Sequence, residues 1–362
     1  MKLAFISPGS VNHTVKWVNS LSEKGIDVTL ITQHRVESRL RPSVTVKYLP
    51  FSGTLGYFLN AILLRRMISK LQPDVVNVHY ATGYGTLAML SGISPYILSV
   101  WGSDVYEYPY LSSFKGWLTR KSLLSADQIA STSHDMARQV LKLVEDYPKD
   151  IAITPFGVDL SKFYSTRDPF SSAEITIGIV KTLEHKYGID LLIEAFSSLE
   201  KYFCYRNIPI TLKLMIVGGG ELKEVLSAQV DKLLIDSQVE FVGKVPNDSV
   251  PKYINEMDIF VVPSRIESFG VSAVEALACE RVCIVADTGG LPEVITDGET
   301  GLVVKPESSE EISNALIVLI EDIEKSKSFG KAGRKDVLNR FSEVSTVETM
   351  ISLYQDFSEN HA

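Results

Sequence analysis

Residues 258–285 constrain this chain most, because they spell out a strand, a loop, a helix and a second strand in one short run. The apolar run 258–262 stops at Pro263, residues 264–269 break the pattern, 270–279 carry helical periodicity, and Val282 opens another apolar run. Units of this kind build parallel sheets and place ligands beyond the carboxyl ends of the strands. Glu267 falls in the loop and Glu275 in the helix. Ser268 and the backbone amides of Phe269, Gly270 and Val271 fall at the helix N-terminus, where donors lack intrahelical acceptors and suit an anion or a sugar oxygen. Both carboxylates are then placed to accept hydroxyls of one ligand. The spacing alone proves little, since an exposed helix Glu accounts for Glu275 equally well.

At 362 residues the chain is too long for one small core, and two domains are expected. With 45% apolar and 22% charged residues it reads as a soluble globular protein. No signal peptide is visible, and no apolar stretch approaches the ~20 residues that span a bilayer, so a cytoplasmic location is expected. Cys204, Cys279 and Cys283 have no zinc-like spacing with histidines, and an odd count argues for reduced thiols without a metal or redox role. The net charge of −8 hides an asymmetry: residues 1–165 carry +5 and residues 166–362 carry −13. Different partners are expected for the two halves. Nothing points to nucleic acid.

The first thirty residues form a β-α-β unit with Pro8-Gly9-Ser10 at its ligand end, but no G-x-G-x-x-G fingerprint. A plain β-α turn explains Gly9 as well as a ligand does. Residues 57–71 carry an apolar helical stripe flanked by Arg65, Arg66 and Lys70; core packing is its ordinary role, and the basic flank also suits an anionic bilayer. A second basic-aromatic piece spans 115–121. Strands 74–78 and 96–100 deliver His79-Tyr80 and Trp101-Gly102-Ser103-Asp104 to one sheet edge, where an acceptor fits; Trp101 reads either as a stacking surface or as a core indole. The polar stretch 165–173 is the expected linker. Strand 175–180 then delivers Lys181 and Lys186, two cations placed to face a diphosphate. Gly218-Gly219-Gly220 lacks the spacing of a nicotinamide site, and Gly243-Lys244 follows the next strand.

The pattern Ser264-x-x-Glu267-x-Phe269-Gly270-x-x-x-x-Glu275-Ala276-x-Ala278, followed by 287–293 and 297–301, closely resembles the donor-binding half of retaining glycosyltransferases of family 4, the group 1 glycosyl transferases. The match is specific over 258–304 and recognisable over nearly the whole chain. It implies an α/β protein of GT-B fold: two Rossmann-like doubly wound domains facing across a cleft, with an acceptor domain 1–165, a nucleotide-sugar donor domain 166–342, and a last helix, 343–362, crossing back. It further implies Lys181 and Lys186 at the diphosphate, where the family has an arginine and a lysine, with Glu267 at the sugar, Glu275 at the ribose, and Gly243 and Lys244 at the edge of the base. Gly9, Ser10, His79, Tyr80, Trp101 and Asp104 then line the acceptor side. Trp101 stands where the family often has a second histidine, Phe156 where it has asparagine, and Glu280 where it has glycine.

The expected activity is metal-independent transfer, with retention and without a cofactor, of a hexosyl or N-acetylhexosaminyl group from a nucleoside-diphosphate sugar. UDP is favoured and GDP is compatible. The acceptor is expected to be a lipid-linked glycan precursor in cell-surface polysaccharide synthesis, with the enzyme peripheral on the anionic inner face of the cell membrane. A nucleotide-sugar epimerase on the same architecture and a non-catalytic nucleotide-sugar-binding subunit are the alternatives, the latter because of Trp101 and Glu280. A dehydrogenase lacks its fingerprint. Glu275→Gln should weaken nucleoside-diphosphate binding by ~1.5–3 kcal/mol through loss of a charge-assisted hydrogen bond; unchanged affinity by calorimetry in a folded variant removes Glu275 from the site.

Overall fold

The computed structural model describes residues 1–36, 40–145 and 147–361. They divide into two compact units, Met1–Pro155 with Val344–Ala362, and Phe156–Glu343. The first is built on strands β1 (Lys2–Ile6), β2 (Asp27–Thr32), β3 (Thr45–Tyr48), β4 (Val75–His79), β5 (Ile97–Ser99), β6 (Gln128–Ser131) and β7 (Ala152–Ile153), ordered β3-β2-β1-β4-β5-β6-β7. The second uses β8 (Glu174–Val180), β9 (Thr211–Val217), β10 (Val239–Gly243), β11 (Ile259–Val262), β12 (Val282–Ala286) and β13 (Gly301–Val304), ordered β10-β9-β8-β11-β12-β13. Pairing is parallel throughout both sheets. Every residue of β4, β11 and β12 is buried, as a sheet covered on both faces requires. In each unit the strand order reverses at the centre, between β1 and β4 and between β8 and β11. The crevice beyond the carboxyl ends of those pairs is where an open α/β sheet holds ligands.

Each sheet has its own core. Ile6, Val78, Leu87 and Leu98 belong to the first, and Ile177, Leu214, Val261 and Leu316 to the second. The chain closes with the helix Glu343–Asn360, whose residues from Val344 onward belong to the first unit. Its Tyr354 is fully buried and donates to Oδ1 of buried Asn77 on β4 at 2.7 Å.

Two sequence expectations meet different geometry. The 57–71 stripe is two helices, Gly53–Leu59 and Ala61–Leu71, divided at Asn60. The buried Asn60 side chain donates to the Phe51 carbonyl at 2.7 Å and accepts from the Phe51 amide at 3.3 Å, which fixes the bend. Residues 165–173 are not a slack linker. Arg167 pairs with the buried Asp258 carboxylate at 2.7 Å, and the fully buried Arg281 donates to Ser165 Oγ at 3.1 Å and to the Arg167 carbonyl at 2.5 Å, so the stretch is stitched to the second unit. The division between units accordingly falls at Pro155, upstream of it.

Glu280, at the position where the family has glycine, has a left-handed backbone. It follows the C-cap of the helix Val271–Ala278 with φ +59°. Its amide bonds the Leu277 carbonyl at 2.9 Å and the Arg281 amide bonds the Ala276 carbonyl at 3.0 Å, a Schellman closure whose left-handed residue is ordinarily glycine. A left-handed L-residue costs ~1–2 kcal/mol, partly offset because glycine gains ~0.4–1 kcal/mol of unfolded-state freedom. Glu280→Gly should therefore raise the melting temperature by ~1–3 °C; a fall in a thermal scan would show that the Glu280 side chain stabilises the fold.

Candidate functional site

At the central reversal of the second sheet, β8 ends in the loop carrying Lys181 and β11 ends in the loop carrying Glu267. Lys181 Nζ meets Glu267 Oε2 at 2.5 Å, and both side chains are nearly buried. Between the lysines stands Tyr187, which sequence reasoning passed over. Lys181 Nζ lies 4.6 Å and Lys186 Nζ 5.3 Å from its ring centroid, so one aromatic ring holds both ammonium groups. Lys186 also pairs with Glu184 at 3.2 Å. Burial pushes the Tyr187 hydroxyl pKa up, against the pull of the two lysines.

The two loops are locked together. The amides of Arg265 and Ile266 both donate to the Lys186 carbonyl, at 2.8 and 3.2 Å. The Arg265 guanidinium grips Asp190 with both terminal nitrogens, at 2.8 and 2.7 Å, and reaches Glu307 from Nε at 2.9 Å. The Asp190 hydrogen bond raises the guanidinium pKa; for Asp190, burial works upward, but the Arg265 bond and charge hold the carboxyl low. Gly188 adopts φ +65° where a Cβ would collide with the Pro263 carbonyl. Glycine there is what lets the loops close.

Paired glycines back the site. Gly289 (φ +56°) presses on the Glu267 carbonyl and Gly290 on the backbone of Ser268 and Phe269. Gly218 and Gly220 stand against the Lys181 and Leu183 backbone, and the Leu183 amide bonds the Gly219 carbonyl at 3.0 Å. The three-glycine run thus serves close backbone approach. Gly243 accepts from the Gly218 amide at 2.9 Å, which sets exposed Lys244 beside Gly219. Gly270 (φ +105°) precedes the helix Val271–Ala278, with Val271 and Glu275 half-buried on it. The Phe269 side chain is 2% exposed and packs on Phe156 and Phe341, which leaves its backbone amide, the group expected from the sequence, as its part in any ligand contact.

At the carboxyl edge of the first sheet, several expected acceptor residues turn out to be structural. Asp104 is buried and accepts from the amides of Ala81 (2.8 Å), Trp101 (3.2 Å) and Gly102 (2.8 Å), tying the ends of β4 and β5 together. Burial raises its pKa and those amides oppose the rise. Gly9 spends its amide on Thr32 Oγ1 at 3.0 Å and packs on Val36, while Ser10 is exposed. His79 is fully buried, stacked on Phe5 at 4.0 Å and covered by Trp101 at 4.6 Å, with neither ring nitrogen hydrogen-bonded. Burial holds its pKa well below the usual histidine range. His13, 6.1 Å from Trp101, is brought down to about 4 by burial and by Lys16. Tyr80 (φ +70°) sets its ring 5.1 Å from Trp101. Trp101 is therefore the lid of an aromatic stack. Among the described residues no cluster of three His, Cys, Asp or Glu is arranged to hold a metal ion.

A family model described as "Glycosyl transferases group 1" matches residues 164–336, and one described as "Glycosyl transferase 4-like" matches residues 2–133. An uncharacterized glycosyltransferase of Methanocaldococcus jannaschii is 26% identical over 347 residues, covering 93% of this chain and 92% of the relative. Sucrose-phosphate synthase from Thermosynechococcus elongatus superposes with TM-score 0.82 at 20% identity over 99% of both chains. Anabaena HepE in complex with UDP gives 0.80 at 16% identity, covering 98% of this chain and 100% of that one. These structural likenesses establish the architecture, two Rossmann-like α/β domains of the GT-B kind.

The role given to Asp104 has a direct test. Asp104→Asn should lower stability by ~1–3 kcal/mol in urea unfolding, because an amide group cannot accept from all three N–H donors. An unchanged midpoint would return Asp104 to the candidate acceptor residues.

Proposed function

This chain belongs to the group 1 glycosyl transferases, and from that premise we propose that it moves a sugar, with retention, from a nucleoside-diphosphate sugar to a hydroxyl of a lipid-linked glycan. UDP is the favoured nucleotide, with GDP compatible, and the sugar is of hexosyl or N-acetylhexosaminyl type. The observation that carries the donor half is the convergence of Lys181, Lys186 and Glu267 over Tyr187 at the reversal of the second sheet. HepE, a neighbour in fold, was solved with UDP, which favours that nucleotide.

In the transfer the bond between the anomeric carbon and the diphosphate oxygen breaks and one to the acceptor oxygen forms on the same face. The acceptor proton passes to the departing phosphate oxygen. Negative charge grows on that diphosphate, and Lys181 and Lys186 stabilise it. An ammonium has three N–H donors, so Lys181 can keep Glu267 and still reach phosphate. Glu267, held by that ion pair, is placed as a positioning group for sugar hydroxyls rather than as a covalent nucleophile. Glu275 takes the ribose. Ser268 and the amides from Phe269 to Val271 complete the donor subsite, with Gly243 and Lys244 at the base.

The lipid-linked acceptor, the inner membrane face and a part in cell-surface polysaccharide synthesis rest on the +5 charge of residues 1–165 and on the surface of the first unit. Phe114 and Trp117 are 62% and 53% exposed on the helix Ser113–Leu124, beside Lys115, Arg120 and Lys121. Large exposed apolar side chains next to cations suit an anionic interface. Among the described residues no helix is long and apolar enough to cross a membrane.

Incubation with a panel of nucleotide-sugars should release nucleoside diphosphate together with a glycoside; an altered nucleotide-sugar would point to an epimerase, and no product to a binding subunit. Lys181→Ala with Lys186→Ala should remove turnover in a variant that circular dichroism shows to be folded, at some cost in stability because the nearly buried Glu267 carboxylate loses its partner. Activity above a tenth of wild type would sink the diphosphate assignment.

A further inference from the structure

A pocket of about 620 Å³ opens on the first unit between the helices Ala61–Leu71 and Gly83–Ser91. Arg65, Arg66 and Lys70 line it, and no carboxylate does. All three are exposed, and none makes an ion pair with another described residue. Arg66 and Lys70 stand one helical turn apart, a like-charge spacing that weakens a helix.

Two partial negative charges are at hand. Gly92, which caps the second helix with φ +64°, brings the backbone of that C-terminus close to the Arg65 guanidinium, and Lys70 sits in the last turn of its own helix. Each helix end is equivalent to roughly half a negative charge, so about two of the three positive charges stay unmatched. A phosphate group supplies that charge and accepts from guanidinium forks.

The rim identifies the source. Ile62 and Leu90 line the same pocket and are 66% and 45% exposed; outside the lining, on the preceding helix Gly53–Leu59, Leu55 and Leu59 are 71% and 55% exposed. A soluble phosphate has no use for apolar side chains standing in water around its site. A phospholipid does, because its acyl region lies next to its phosphate. We propose that this pocket binds the phosphate of an anionic phospholipid head group at the bilayer surface, and so docks the first unit through a site separate from the donor subsite. The inference rests on the membrane reading of the acceptor.

The test is vesicle co-sedimentation of the full chain at low salt, with phosphatidylglycerol against phosphatidylcholine. Wild type should prefer phosphatidylglycerol. Arg66→Gln with Lys70→Gln should lose about thirty-fold in partitioning, at roughly five-fold per basic residue near the surface. Lys201→Gln with Lys223→Gln, an equal charge change on the second unit, should lose less than three-fold. Equal binding by wild type and the pocket variant overturns the pocket and leaves the membrane reading standing. No lipid preference in wild type overturns the membrane reading and the pocket with it. Full competition by millimolar glycerol phosphate would identify a soluble phosphate site and overturn the lipid assignment. Unchanged nucleoside-diphosphate binding confirms that each variant is folded.

Discussion

The grip of Arg265 on Asp190 fixes the geometry on which the candidate donor site depends. Loops that follow strands have few neighbours of their own, and the loops after β8 and β11 would otherwise be free to separate. A planar guanidinium bound through two nitrogens sets both distance and angle between them. The two amides that share the Lys186 carbonyl add the backbone register. Lys181 and Glu267 then meet as a consequence of scaffolding that touches no ligand. A lysine at position 265 would keep the charge and lose the angle.

Both sheets were legible in the sequence for a simple reason: a parallel strand covered on both faces is apolar at nearly every position, and runs such as 258–262 and 282–286 announce themselves. Lys181, Lys186 and Glu267 were legible because the loop that carries each of them begins where such a run ends. What escaped was decided by partners distant in sequence. Asp104 sits in a loop after a strand, the usual place for a functional carboxylate, and only the fold brings the Ala81 amide to it. The Phe269 ring, on which the sequence is silent, packs on Phe156 and Phe341. Tyr187 did leave a signal, an aromatic residue between Lys186 and Gly188, but an aromatic beside a glycine has many ordinary uses.

The aromatic stack of the first unit sets an unusual condition on its histidines. A ring buried against Phe5 and under Trp101, with both nitrogens unpaired, stays neutral across the physiological range. His79 thus contributes shape and polarity at the reversal of the first sheet. The indole in place of a second histidine turns a polar edge into an aromatic cover.

The helix that ends the chain belongs to the unit that begins it. Asn77 sits on a central strand, and one of its hydrogen bonds goes to Tyr354. During synthesis the first sheet leaves the ribosome early, but one of its faces waits for residues beyond 343. The whole of the second unit must be made in between. Until the last turn emerges, the nascent first half carries an open apolar face that a chaperone or a wrong neighbour can occupy, so a premature stop near residue 343 leaves an intact second unit attached to an unfinished first.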